Sequence, residues 1–126
     1  MKPQRSSNFF VSFKFAGEGV LHAIRTQRNF RFHLVAAVVI ALFGAWLRLL
    51  CESWAILALT IGVVLVIEMV NTAAEAMVDL TTPDYHPFAK LVKDVAAGAV
   101  LVVAITAVVV GLLVLGPPLL ARLGFG

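Results

Sequence analysis

Three uncharged apolar runs, residues 34–47, 53–67 and 95–121, constrain this chain more than any other feature of its sequence. A helix that crosses a bilayer needs about 20 predominantly apolar residues. The third run exceeds that length, and the first two reach it with their flanking residues. Only 13% of the 126 residues are charged, against roughly 25% in soluble domains, too few to cover an ordinary globular surface. The expected fold is an all-α integral membrane protein, a single domain over residues 1–126. Residues 8–30 read as an N-terminal amphipathic surface helix, and residues 32–49, 53–80 and 87–116 as three transmembrane helices.

Charge placement orients these spans. Residues 1–33 carry Lys2, Arg5, Lys14, Arg25, Arg28 and Arg31 against one acid, Glu18. The connection around Arg48 and Glu52 is balanced, whereas the one between the second and third spans holds Lys90 and Lys93. The positive-inside rule puts the N-terminus and that second connection in the cytoplasm and the C-terminus outside. The net charge of +3 suits anionic headgroups. No basic stripe with base-stacking groups points to a nucleic acid, and Cys51, being alone, makes no internal disulfide or Cys-rich metal site. The first apolar run begins only at Leu34, so it reads as a retained span rather than a secretory signal.

The surface helix places Phe9, Phe13, Val20 and Ile24 on one side and Lys14, Glu18, His22 and Arg25 opposite. Phe15 falls on the polar side, as a packing residue or a ligand contact. Ser53 is a candidate N-cap for the second span. Thr81-Thr82-Pro83-Asp84 should end that span, and Gly116-Pro117-Pro118 should end or kink the third. Trp46 and Trp54 mark the outer interface.

The second span carries the chemistry. At a helical period, Asn71, Glu75 and Asp79 lie at about −60°, −20° and +20° from Glu68, one narrow polar stripe on an apolar helix. Glu68 directly follows the uncharged run, at or below headgroup level. An acid at the bilayer centre costs about 2.5–3.5 kcal/mol on insertion scales, so the group needs a partner. With few cations in the spans, a hard divalent ion fits, and Mg²⁺ is held by one or two carboxylates plus substrate phosphates. Asp79 also reads as the solvated end of a long helix. In the next connection His86, Lys90 and Lys93 share a helical face near Asp94, suited to a nucleotide's phosphates or to a snorkelling, positive-inside loop. Residues 25–33 are polar and read as interfacial anchoring or as headgroup and phosphate recognition. No GxxxxGK[ST] phosphate loop occurs.

Three segments together resemble the prokaryotic diacylglycerol kinase family, specifically its undecaprenol kinase branch, over about residues 13–115. They are Gln27-Arg28-Asn29-Phe30-Arg31-Phe32-His33, then Glu68-x-x-Asn71-Thr72-Ala73-x-Glu75-x-x-x-Asp79. The last is Tyr85-His86-Pro87-x-Ala89-Lys90-x-x-Lys93-Asp94-x-Ala96-Ala97-Gly98-Ala99. The resemblance implies an ATP- and Mg²⁺-dependent lipid alcohol kinase of the bacterial inner membrane. It further implies a homotrimer with active sites between subunits. Glu68 would be the general base, supported by Asn71, and Glu75 a metal ligand with Gln27 as the second. The nucleotide would meet Phe15, Gln27, Glu75, Asp84, Tyr85, His86, Lys93 and Asp94. The lipid would meet Asn29, Arg31, His33, Glu68 and Ala97. The family usually carries Glu at the position of Gln27 and often Tyr at that of Phe15. Undecaprenol is the first-choice acceptor and diacylglycerol the second. An inactive membrane scaffold of the same fold and a small ion-coupled channel are the rival classes.

Overall fold

The computed structural model describes residues 8–81 and 84–125. It contains α1 (Phe9–Thr26), α2 (Arg28–Leu47), α3 (Cys51–Thr81) and α4 (Pro87–Arg122), with no strand among the described residues. Lys2, Arg5, Thr82 and Pro83 lie outside those residues, and α3 ends at Thr81, directly before the expected stop.

The surface helix is shorter than the sequence suggests. Asn8 caps it, its side-chain oxygen accepting from Phe10 N–H at 3.1 Å. It breaks at Gln27, which is extended (φ −105°, ψ 108°). Backbone hydrogen bonds bracket this one-residue joint, with Gln27 N–H donating to Ala23 and Arg31 N–H donating to Gln27. Ala23 and Phe30 are buried on either side of it. The Phe face remains open: Phe9 is 72% exposed and stacks edge-on with Phe13 at 4.9 Å. That face is built to meet acyl chains.

The three long helices run up, down and up. At one end His33 of α2 meets Glu68 of α3, and Lys93 of α4 meets Asp79 of α3. At the other end Leu47, Leu57 and Leu115, one from each helix, form a buried cluster with Phe43 and Trp54 against it. Arg122 lies 4.3 Å over the Trp46 ring there, a cation–π contact at an aromatic belt. Residues 48–50 make the α2–α3 turn, with Arg48 in the left-handed region (φ 55°). Because Leu50 C=O already accepts from Trp54 N–H at 3.1 Å, α3 starts at Cys51 and Ser53 sits inside its first turn. The expected Ser53 cap is therefore not used.

Gly44 sets how closely this turn folds back. A Cβ there would stand 3.0 Å from both Leu49 Cδ1 and Trp54 Cη2. Gly44→Val should thus destabilise the hairpin by about 1–3 kcal/mol, the usual range for overpacking. Denaturant unfolding in mixed micelles measures it, and a wild-type midpoint would show that the turn has slack.

α3 spans roughly 46 Å and α4 roughly 54 Å at 1.5 Å per residue, against a hydrocarbon core of about 30 Å. Both extend beyond the hydrocarbon. α4 also continues through Pro117 and Pro118 to Arg122 instead of stopping at Gly116. Each proline removes only one amide donor, and membrane helices tolerate that through local readjustment. The chain exposes 9603 Å², whereas a folded soluble monomer of its mass exposes about 6,500 Å². Much of the excess is Leu, Val and Ile on the outer faces of α2, α3 and α4. Such a surface is stable only in an apolar surrounding. This is an integral membrane protein.

Candidate functional site

Glu68 lies roughly 26 Å along α3 from Cys51, close to the far edge of a hydrocarbon core that begins there. It is 4% exposed, the buried charged side chain among the described residues. Its Oε1 sits 3.1 Å from His33 Nε2. A carboxylate can only accept, so the ionised pair requires the proton on Nε2. Thr72 Oγ1 donates to the Glu68 carbonyl at 3.0 Å, which ties off the backbone behind it. One turn on, Asn71 Nδ2 points at Glu75 Oε1 at 3.5 Å, and Asn71 Oδ1 is buried with no partner among the described residues. The expected stripe of Glu68, Asn71, Glu75 and Asp79 runs along α3, its last member paired with Lys93.

Below the stripe, a cleft of about 410 Å³ opens between the end of α3 and the start of α4. That is within the range of small-molecule sites. Five of the predicted nucleotide residues line it: Asp84, Tyr85, His86, Lys93 and Asp94. Asp79, the last carboxylate of the polar stripe, and Lys90, which shares a helical face with His86 and Lys93, also line it. Lys93 Nζ donates to Asp79 Oδ1 at 2.7 Å, and Lys90 pairs with Asp94 one turn away on α4. Both lysines are thereby held over the cleft by exposed, exchangeable ion pairs. His86 caps α4, its Nδ1 accepting from Phe88 N–H at 3.1 Å, so only Nε2 is left for a ligand. Tyr85 is 81% exposed.

On the bilayer side of His33 lies a second, apolar groove of about 110 Å³ between α2, α3 and α4. Ala36, Ala37, Ile40, Ile61, Val64 and Ala107 line it. Thr60 adds a hydroxyl, but that group donates to Ile56 C=O of its own helix at 2.8 Å. His33 is the remaining polar residue at the wall.

Other predicted residues stand apart from these cavities. Arg31 Nη1 donates to the carbonyls of Ile24 and Arg25 at 3.2 and 2.9 Å. It thus satisfies the open C-terminal end of α1 and braces the Gln27 joint. Gln27 is half-buried and its Nε2 reaches Thr26 Oγ1 at 3.5 Å, which leaves its carbonyl oxygen as an acceptor. Asn29, Phe15 and Ala97 are exposed.

The donor chemistry suits a hard cation. No three His, Cys, Asp or Glu side chains converge on one point among the described residues. Instead, Glu75 offers carboxylate oxygens beside the orphaned Asn71 carbonyl oxygen. Two oxygen donors with the remaining positions left to phosphates and water match the habit of Mg²⁺.

The family model for prokaryotic diacylglycerol kinase matches residues 14–115. The chain belongs to that family. Relatives of it include a diacylglycerol kinase of Synechocystis, 48% identical over 94% of this chain and 68% of that protein. An undecaprenol kinase of Bacillus subtilis is 44% identical over 90% of this chain and 92% of its own length. The diacylglycerol kinase of Escherichia coli is 28% identical over 75% and 78%. Membership makes this protein a lipid kinase of the bacterial membrane that phosphorylates with ATP. The matched region contains the Glu68 stripe, the lysine cleft and the apolar groove.

Proposed function

We propose that this lipid kinase transfers the γ-phosphate of ATP to the terminal hydroxyl of a polyprenol, undecaprenol foremost. The observation that carries the reading is the position of Glu68. It is a buried carboxylate, pinned through one oxygen, and it lies along α3 between Leu65 of the apolar groove and Val78 of the charged cleft. The acceptor chain would lie in the groove with its hydroxyl at Glu68 Oε2, the carboxylate oxygen without a partner among the described residues. Phosphates would lie toward Lys93 and Lys90, with Asp84, Tyr85, His86 and Asp94 around the nucleotide. The hydroxyl proton passes to Glu68 as the hydroxyl oxygen bonds to the γ-phosphorus. The bond from phosphorus to the bridging oxygen breaks, and ADP leaves with that electron pair. Glu75, the Asn71 oxygen and Gln27 would hold Mg²⁺, which neutralises charge on the phosphates when bound.

The polyprenol preference rests on the lining beside His33. In a polyprenol, hydrocarbon follows the hydroxymethyl group directly, whereas diacylglycerol carries two ester groups within a few bonds of its hydroxyl. Buried ester oxygens want donors, and the groove offers His33 and an already committed Thr60. The B. subtilis relative, similar over nearly its full length, supports the same choice, while the Synechocystis relative supports diacylglycerol as the second reading. The positive-inside rule supports a cytoplasmic N-terminus and an outward C-terminus. Exposed site residues such as Tyr85 and Ala97 support a homotrimer that completes each site with a neighbour, bringing Asn29 and Phe15 close to it.

The deciding experiment is transfer of labelled γ-phosphate from ATP by purified protein to undecaprenol and to diacylglycerol in matched mixed micelles. The polyprenol should win in kcat/KM by about tenfold or more, a discrimination within reach of one or two kcal/mol of pocket contacts. A preference for diacylglycerol would reassign the acceptor. No lipid-dependent transfer at all would remove the reading.

A further inference from the structure

We infer that His33 is the positioning residue of the reaction: it holds the Glu68 carboxylate so that Oε2 faces the acceptor hydroxyl. The inference rests on the proposed role of Glu68 as base. Glu68 is flexible by nature, with three side-chain torsions, and its neighbours one turn back on α3, Val64 and Leu65, are apolar. In water, solvent would hold either oxygen at no preference. Here the side chain of Glu68 is 5% exposed, so orientation must come from protein.

The donor within reach is His33 Nε2, 3.1 Å from Oε1, and it comes from a different helix. That origin matters. A partner on α3 would move with Glu68, whereas a partner on α2 references the carboxylate to the second wall of the groove. His33 lines that groove, so the same imidazole touches both the base and the space where the acceptor chain would lie. His33 is itself restrained, with Phe32 edge-on at 5.6 Å and only 20% of its side chain exposed. Asn71, the nearest other polar side chain on the stripe, directs its Nδ2 toward Glu75 instead. The protonated imidazole and the neutral tautomer with its proton on Nε2 both present Nε2–H to Oε1.

A group that only fills space or satisfies a lone pair would change stability or lipid affinity when removed. A positioning group changes turnover, because a displacement near 1 Å at the reacting centre can cost about 100-fold. We therefore expect His33→Leu to lower kcat by about 10–100-fold, with KM for polyprenol and for ATP within about twofold of wild type. His33→Gln extends an amide N–H to a similar reach and should recover kcat to within about fivefold of wild type. Thermal unfolding and elution volume in detergent establish that the variants are folded. Should His33→Leu fail to fold, His33→Met keeps the length without a donor and takes its place. Wild-type kcat in the folded donor-free variant overturns the inference. So does a loss confined to the lipid KM, or a His33→Gln variant as slow as His33→Leu. Glu68→Gln, run alongside, separates this from the underlying reading. If that variant stays active the base assignment has failed, and if it is dead while His33→Leu is fast only the positioning role has failed.

Discussion

Glu68→Gln should lower kcat by about 10²–10⁴-fold, the range that general-base catalysis contributes, while leaving a folded protein. The amide is the same size, and its oxygen still accepts from His33 Nε2–H at the Oε1 position, so packing and the α2–α3 contact persist. What disappears is the place where the hydroxyl proton can go. In an open site water would take it, and the loss would be small. Here the side chain is 5% exposed, an apolar groove stands on one side, and the neighbouring His33 Nε2 is engaged as the donor to Oε1, so the freed proton has no carboxylate to go to. The KM values for lipid and ATP should shift little, since neither the groove nor the lysine cleft is altered. Initial rates with saturating polyprenol measure the effect. A variant that turns over within tenfold of wild type would place the base elsewhere.

The reach of sequence reasoning in this chain follows the range of the forces involved. The spans were legible because burial in lipid demands long uncharged runs, and residues 34–47, 53–67 and 95–121 contain nothing else. The stripe was legible because Glu68, Asn71 and Glu75 share one helix and its period fixes their angles. The partners of that stripe were not. His33 is 35 residues from Glu68, and Lys93 is 14 from Asp79, so these pairs depend on how the helices dock. The resemblance put His33 near the lipid but carried no statement of what its imidazole holds. The break at Gln27 also left no mark, because neither Gly nor Pro stands there. It exists because Arg31 from α2 satisfies the last carbonyls of α1. Of the two readings of Gly116-Pro117-Pro118, an end or a kink, the end is not taken, since the rule that proline ends a helix is weakest where lipid leaves the backbone no alternative partner.

Glu75→Gln should raise the Mg²⁺ concentration for half-maximal rate by at least about 10–100-fold, the penalty already seen when only a supporting partner of a metal ligand is lost. Two unit charges about 4 Å apart interact by about 4 kcal/mol at an effective dielectric near 20, and the amide gives up that attraction while keeping an oxygen. The neighbouring Asn71 oxygen is neutral and cannot compensate. Part of the kcat should return at high Mg²⁺, which separates a ligand from a base: excess metal rescues Glu75→Gln and leaves Glu68→Gln dead. Gln27→Glu should move the titration the opposite way, because it adds a carboxylate at the joint where the family usually carries one. Mn²⁺ binding in the presence of ATP, followed by paramagnetic resonance, reads both variants without relying on turnover. If Glu75→Gln binds Mn²⁺ as wild type does, the cation sits elsewhere. If Gln27→Glu leaves the titration unchanged, the α1–α2 joint lies too far from the phosphates to contribute. The paired result matters because Ala23 is the one residue that α1 buries. A tighter Gln27→Glu site would therefore tie the surface helix, through a single side chain, to nucleotide binding.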